Sequence, residues 1–144
     1  MSFDCVVDAS SGIKLFVIEP LSERADALFA HLTDDPPARF YVPDLFFVEC
    51  TNVLWKYVRR FDYPLENARQ DVTDLMKLPL RAVSTSVLIG EALEIAAAHG
   101  ITAYDAAYVA LSRQLSLPLV TADESLERCL THVPFDVRLL EDWP

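Results

Sequence analysis

The chain has 144 residues, 52% of them hydrophobic, with three glycines and no low-complexity stretch. That is enough apolar material for residues 1–144 to read as one domain whose core closes without staples. Its formal net charge is −10, from 12 Lys and Arg against 22 Asp and Glu; alone this argues against a nucleic-acid binder and suits a protein that binds cations or a basic partner. No apolar run approaches the ~18 residues of a membrane span, and residues 1–4 carry no basic cluster ahead of an apolar stretch, so neither a membrane anchor nor a secretory signal is expected. The expected compartment is the cytoplasm.

Cys5-Val-Val-Asp8 reads as a short buried strand ending in an acid. A short helix is expected from Ser10 to Phe16. Leu21, Ala25, Leu28, Phe29 and Leu32 have helical spacing, broken by Thr33-Asp-Asp-Pro-Pro37. Phe40–Val42 is a second strand, stopped by Pro43. Asp44 opens a helix to about Arg60, Asp62-Tyr-Pro64 turns the chain, and Leu65–Lys77 is the next helix, ended by Pro79. Arg81–Ser84 reads as a third strand. Val87–Ala98 is helical with Gly100 as its stop. Ala103–Leu115 follows, with Ala103, Ala106, Ala107 and Ala110 offering a flat face for close packing. Leu117–Thr121 is a fourth strand, Glu124–Leu130 a helix and Val137–Leu140 a last strand.

Short apolar strands alternating with helices predict an α/β fold. The expected form is a three-layer α/β/α sandwich with a mainly parallel central sheet. Sites in such folds form at the carboxyl ends of the strands, so acids there are the candidates. Asp8 follows the first strand and is either an N-cap or a functional acid. Glu49 has Phe46, Phe47, Val48, Cys50 and Val53 as neighbours and no base at i+3 or i+4. A carboxylate on such a face is costly unless paired or metal-bound. Asp105 stands three residues after Thr102, a capping-box spacing, and Asp123 follows Thr121, itself part of Thr121-x-x-Glu124. Each of these two has a structural explanation when taken alone.

The set carries more than its members. Two acids end strands and two lie in first turns of helices, positions that face one edge of a parallel sheet. Carboxylates gathered there repel one another and raise each other's pKa values, a conflict that a divalent cation removes. Oxygen ligands without Cys or His indicate Mg2+ or Mn2+ rather than zinc. Cys5, Cys50 and Cys129 are odd in number and widely spaced, so they suggest no disulfide framework, and all three read as reduced core cysteines. His31, His99 and His132 read as surface or helix-end residues.

These residues resemble a known family. Val6-Val-Asp-Ala-Ser10 with Lys14-Leu-Phe16, Glu49-Cys-Thr-Asn52-Val-Leu54, Ala103-Tyr-Asp-Ala-Ala-Tyr-Val-Ala-Leu111 and Leu119-Val-Thr-Ala-Asp123 are similar to the four motifs of PIN-domain proteins, in order and spacing. The likeness is to the short VapC-type toxins of type II toxin–antitoxin modules. It implies a Mg2+- or Mn2+-dependent endoribonuclease with Asp8, Glu49, Asp105 and Asp123 as its catalytic, metal-binding acids. It also implies a homodimer and a small antitoxin protein that blocks the site, with structured RNA as substrate. Ser112 and Glu124 depart from residues common in the family; neither removes an acid. Ser10, Thr121 and Asn52 are expected to orient the acids, or else to cap helices and face solvent. Lys14, or Lys56, Arg59 and Arg60, could meet RNA phosphates, although those last three read more readily as a solvated helix end, and Tyr104 and Tyr108 could stack on bases, although helical aromatics are more often core or dimer contacts. A signalling receiver domain would need paired acids after the first strand and a lysine after the last, and a haloacid-dehalogenase-type phosphatase would need Asp at position 10; neither is present. An RNA-maturation nuclease and a non-catalytic PIN-like interaction module are the alternatives within the family.

Overall fold

The computed structural model describes residues 3–143; residues 1, 2 and 144 lie outside it, and with them part of the N-terminal stretch read as free of a signal. Five strands form one sheet, β1 (Cys5–Val7), β2 (Phe40–Pro43), β3 (Arg81–Val83), β4 (Leu119–Thr121) and β5 (Val137–Leu139). They lie in the order β3-β2-β1-β4-β5 and every pair is parallel. Parallel neighbours need crossovers, and these carry the helices α1 (Ala9–Gly12), α2 (Ser22–Ala30), α3 (Leu45–Arg60), α4 (Leu65–Lys77), α5 (Ile89–His99), α6 (Ala103–Leu115) and α7 (Glu124–Cys129). The chain builds outward from β1 to β3 on one side, then returns to β4 and β5 on the other. Right-handed crossovers in opposite directions put helices on opposite faces of the sheet, which gives the three-layer α/β/α sandwich that the alternating pattern predicts.

The core follows from the apolar runs. Cys5, Val6, Val7, Phe40, Val42, Leu119 and Val120 are fully buried, as central parallel strands require, each valine contributing roughly 1.5–3 kcal/mol by its burial. In α3 the buried stripe is Phe46, Cys50 and Leu54, spaced at i, i+4 and i+8. In α6 residues 106–112 are all buried; Ala106, Ala107 and Ala110 provide the close-packing face, while Ala103 is exposed.

Several boundaries differ from the sequence reading. The first helix ends at Gly12 and tightens into a 3-10 turn over Ile13–Leu15. Leu21 is left-handed, with φ 70°, so α2 starts at Ser22 and ends in a second 3-10 turn, His31–Thr33. Pro43 belongs to β2; it has no N–H to give, and the ladder is continued by Asp44 N–H donating to Val83 O at 2.8 Å. Gly100, with φ 68°, ends α5 as expected. Cys129 is a correction: it is exposed, because the buried position of the short α7 is Leu126. His31 is half-buried, with its ring stacked on Phe3 at 3.8 Å and Nδ1 2.8 Å from Asp34.

Candidate active site

The switch between the two winding directions falls at β1 and β4, which are neighbours. Ligand crevices form at such points, outside the carboxyl ends of the strands. Asp8 stands immediately after β1 and Asp123 two residues after β4, so these acids belong to adjacent strands although they are far apart in sequence.

Asp8 is buried and held from three directions. Its Oδ1 accepts from Ser10 Oγ at 2.7 Å and from Ser11 N–H at 3.1 Å, and its Oδ2 accepts from Thr121 Oγ1 at 2.5 Å. It therefore caps α1 and also bridges to β4, so the capping reading holds and leaves the functional one open. Every donor is neutral. Burial pushes the Asp8 carboxyl up to about 6, against the lowering pull of the Ser10, Thr121 and Ser11 bonds, and the Asp105 charge adds to the rise. Ser10 and Thr121 thus hold Asp8 directly. Ser10 Oγ also accepts from Ala122 N–H at 3.0 Å, and Thr121 Oγ1 from Asp123 N–H at 3.0 Å. The Thr121-x-x-Glu124 capping box does not form. Asp123 is the cap of α7, its Oδ1 accepting from Ser125 N–H at 2.9 Å and Leu126 N–H at 3.1 Å.

Glu49 is half-buried on α3, and its Oε1 accepts from Tyr108 OH at 2.6 Å. Burial raises its carboxyl above the usual range; the Tyr108 bond opposes this, and the charges of Asp105 and Asp8 add to it. Asp105 is raised by burial and by the Asp123 charge, while Thr102 pulls it down. Thr102 Oγ1 accepts from Asp105 N–H at 3.1 Å, so that cap is real. The charge of Asp105 thus reaches Asp8 and Glu49, that of Asp8 reaches Glu49, and that of Asp123 reaches Asp105. Asp8, Glu49, Asp105 and Asp123 all line one open cavity of about 570 Å³, together with Ser10, Val48, Asn52, Val53, Lys56, Tyr104 and Tyr108. Among the described residues none of the four makes an ion pair.

Three sequence expectations change here. Asn52 lines the cavity but makes no hydrogen bond to Glu49; Tyr108, one turn after Asp105 on α6, takes that place. Tyr108 is 1% exposed, so it is no stacking platform, and burial followed by the Glu49 charge drives its phenol far above its usual range. A capping-and-periodicity reading of one helix gives no signal for a bond between α3 and α6. Lys14 does not reach the cavity: its Nζ pairs with Glu19 Oε1 at 3.1 Å, and Tyr57 OH donates to Glu19 Oε2 at 2.6 Å. Among the described residues Lys56, at i+7 from Glu49, is the base that lines the cavity, and Glu124 is exposed outside it. Ser112 is buried, its hydroxyl donating to Leu117 O at 2.5 Å.

The donor set fits a hard divalent cation in its chemistry. It is all carboxylate, half-buried to buried, with like charges raising Asp8, Glu49 and Asp105, and uncompensated by a paired base among the described residues. Among the described residues no three acidic, histidine or cysteine side chains converge into a ready-made cage. Mg2+ keeps several of its waters, so carboxylates that do not close on one point can still reach it through them.

The PIN domain family model matches residues 5–129. Ribonuclease VapC3 from Pyrobaculum aerophilum is 33% identical over 123 residues, covering 84% of this chain and 90% of that relative. Among solved structures, PAE2754 from Pyrobaculum aerophilum superposes with a TM-score of 0.69 at 21% identity, covering 96% of this chain and 90% of that one. A chain of a toxin-antitoxin complex from Klebsiella pneumoniae superposes with a TM-score of 0.66 at 14% identity, covering 95% and 98%. The two superpositions speak for the fold, whereas the family match and the 33% identity speak for descent. The chain belongs to the PIN-domain family, and its likeness within that family is to the VapC type.

Proposed function

We propose that this protein is a Mg2+- or Mn2+-dependent endoribonuclease that acts as the toxin of a type II toxin–antitoxin module in the cytoplasm. The observation that carries the reading is that four carboxylates from four elements line one cavity at the switch point, with no base paired to them among the described residues. The ribonuclease name of the VapC relative supports the reaction class, and the toxin–antitoxin complex supports the biological setting.

Asp8, Asp105 and Asp123 would hold the metal, with Glu49 as a further ligand or through water. When bound, such an ion lowers the pKa of water and offsets charge on the scissile phosphate. Ser10, Thr121 and Ser11 N–H fix both oxygens of Asp8, so its carboxylate is oriented before any ligand arrives. One Asp123 oxygen is committed to capping α7, which anchors that side chain. Lys56 meets an RNA phosphate at the cavity rim. The acidic surface suits an antitoxin segment rich in arginine, and a homodimer is the proposed assembly.

The test is cleavage of total cellular RNA by purified, antitoxin-free protein with Mg2+ or Mn2+, with EDTA and Asp8→Asn as controls. Cleavage lost in both controls is expected. Folded protein that neither cuts RNA nor binds Mn2+ would sink the nuclease reading and leave a non-catalytic interaction module. Cleavage confined to a precursor RNA would favour the maturation role.

A further inference from the structure

Glu49 is the one acid of the four whose carboxylate hangs from a long side chain, near the start of α3, where no strand end or cap restrains it. Its restraint comes from another helix. Tyr108 OH donates to Glu49 Oε1 at 2.6 Å, and Tyr108 is the largest of the fully buried side chains. A buried phenol needs a hydrogen-bond partner, and here the carboxylate is that partner. Asp105 and Tyr108 lie three residues apart on α6, on one face of the helix, and both line the cavity. The same helix face thus supplies one acid directly and grips a second one that belongs to α3.

The choice of donor matters. An arginine or lysine in this place would hold Glu49 equally well and cancel its charge. A neutral hydroxyl restrains the carboxylate on one oxygen, leaves its negative charge intact and leaves the other oxygen uncommitted to protein among the described residues. That combination is useful only where the charge is needed for something else. Resting on the metal-dependent reading above, we infer that Tyr108 is a positioning residue, holding Glu49 in the orientation in which its second oxygen serves a divalent cation.

The experiment is Mn2+ titration by calorimetry of wild type, Tyr108→Phe, Glu49→Gln and the double variant, with kcat and KM on one RNA substrate. Tyr108→Phe keeps the ring that packs the core and removes only the hydroxyl. Loss of a residue that orients a metal ligand lowers metal affinity or activity about 10–100-fold. The expected result is a Mn2+ dissociation constant raised by about 10-fold in Tyr108→Phe. A matching fall in kcat and a KM within about twofold of wild type should accompany it, with cooperative unfolding retained. In the Glu49→Gln background the same substitution should add nothing, because its effect runs through Glu49. Wild-type affinity in Tyr108→Phe, or an equal loss in both backgrounds, would overturn the inference while leaving the nuclease reading intact. A wild-type protein that binds no Mn2+ would overturn both.

Discussion

The hydroxyl of Thr121 donates to Oδ2 of Asp8 at 2.5 Å, joining the ends of β4 and β1 across 113 residues of sequence. Thr121 is fully buried and Asp8 5% exposed, so this bond lies within the protein. Thr121→Val is expected to destabilise the protein by about 1–3 kcal/mol, the cost of an unmet buried acceptor, and to weaken Mn2+ binding about 10-fold. Thr121→Ser should restore most of both. Urea unfolding and Mn2+ titration of the two variants check this; equal behaviour of Val and Ser would show that the hydroxyl does not matter.

The raised carboxyl of Asp8 makes the metal-free protein sensitive to pH. Its value in the fold is about 6, against an ordinary 3.8. Between those values the native state binds more protons than the unfolded chain, so stability falls as pH rises. This contribution is complete below 3.8 and lost as pH passes through about 6, with an upper bound of roughly 3 kcal/mol. Burial raises Glu49 and Asp105 in the same direction. Asp44 and Glu91, whose carboxyls are lowered by hydrogen bonds from Thr85 and Arg113 respectively, act in the opposite sense, so the decisive comparison is between variants. Asp8→Asn should be more stable than wild type at pH 7.5, and the difference should shrink by pH 4. Thermal unfolding with EDTA at both pH values measures it; a difference independent of pH would refute the assignment.

Lys56 and Lys14 should separate cleanly. Lys56→Ala is expected to raise KM for RNA up to about 5-fold, equivalent to ~1 kcal/mol for an exposed ion pair, with little change in kcat. The salt dependence of binding should fall by about 0.7 in log–log slope, the value for one phosphate on a single strand. Lys14→Ala removes the ion pair with Glu19 and should leave KM and its salt slope unchanged. Kinetics at several salt concentrations test both, and a salt slope that moves with Lys14 instead would reverse the assignment.

Gly12 is needed for closeness. A Cβ there would lie 2.6 Å from Phe46 Cζ and 2.7 Å from its Cε2, and Phe46 is fully buried. Gly12→Ala should therefore destabilise by about 1–3 kcal/mol through overpacking, pushing α1 from α3 and so Asp8 from Glu49. Adding Phe46→Leu should recover part of the loss if the clash is the cause. Chemical denaturation of the single and double variants decides, and strict additivity would exclude the contact as the origin.

Sequence by itself determined the order of elements, the parallel α/β class and the four candidate acids. Apolar runs, helical periods and caps are local properties, and each is written within a dozen residues; Cys5-Val-Val-Asp8 and Leu119-Val-Thr-Ala-Asp123 both read as strand ends bearing acids. Only the tertiary structure decided which elements meet. It put β1 beside β4, decided between the two readings of Thr121 by making it a donor to Asp8, and gave Glu49 to Tyr108 rather than to Asn52. It also tied Lys14 to Glu19 and left Lys56 on the cavity, and exposed Cys129. The physical reason is common to all of these. Periodicity says which face of one element is apolar, but a hydrogen bond between two elements depends on how their crossovers pack, and that is a property of the assembled sheet.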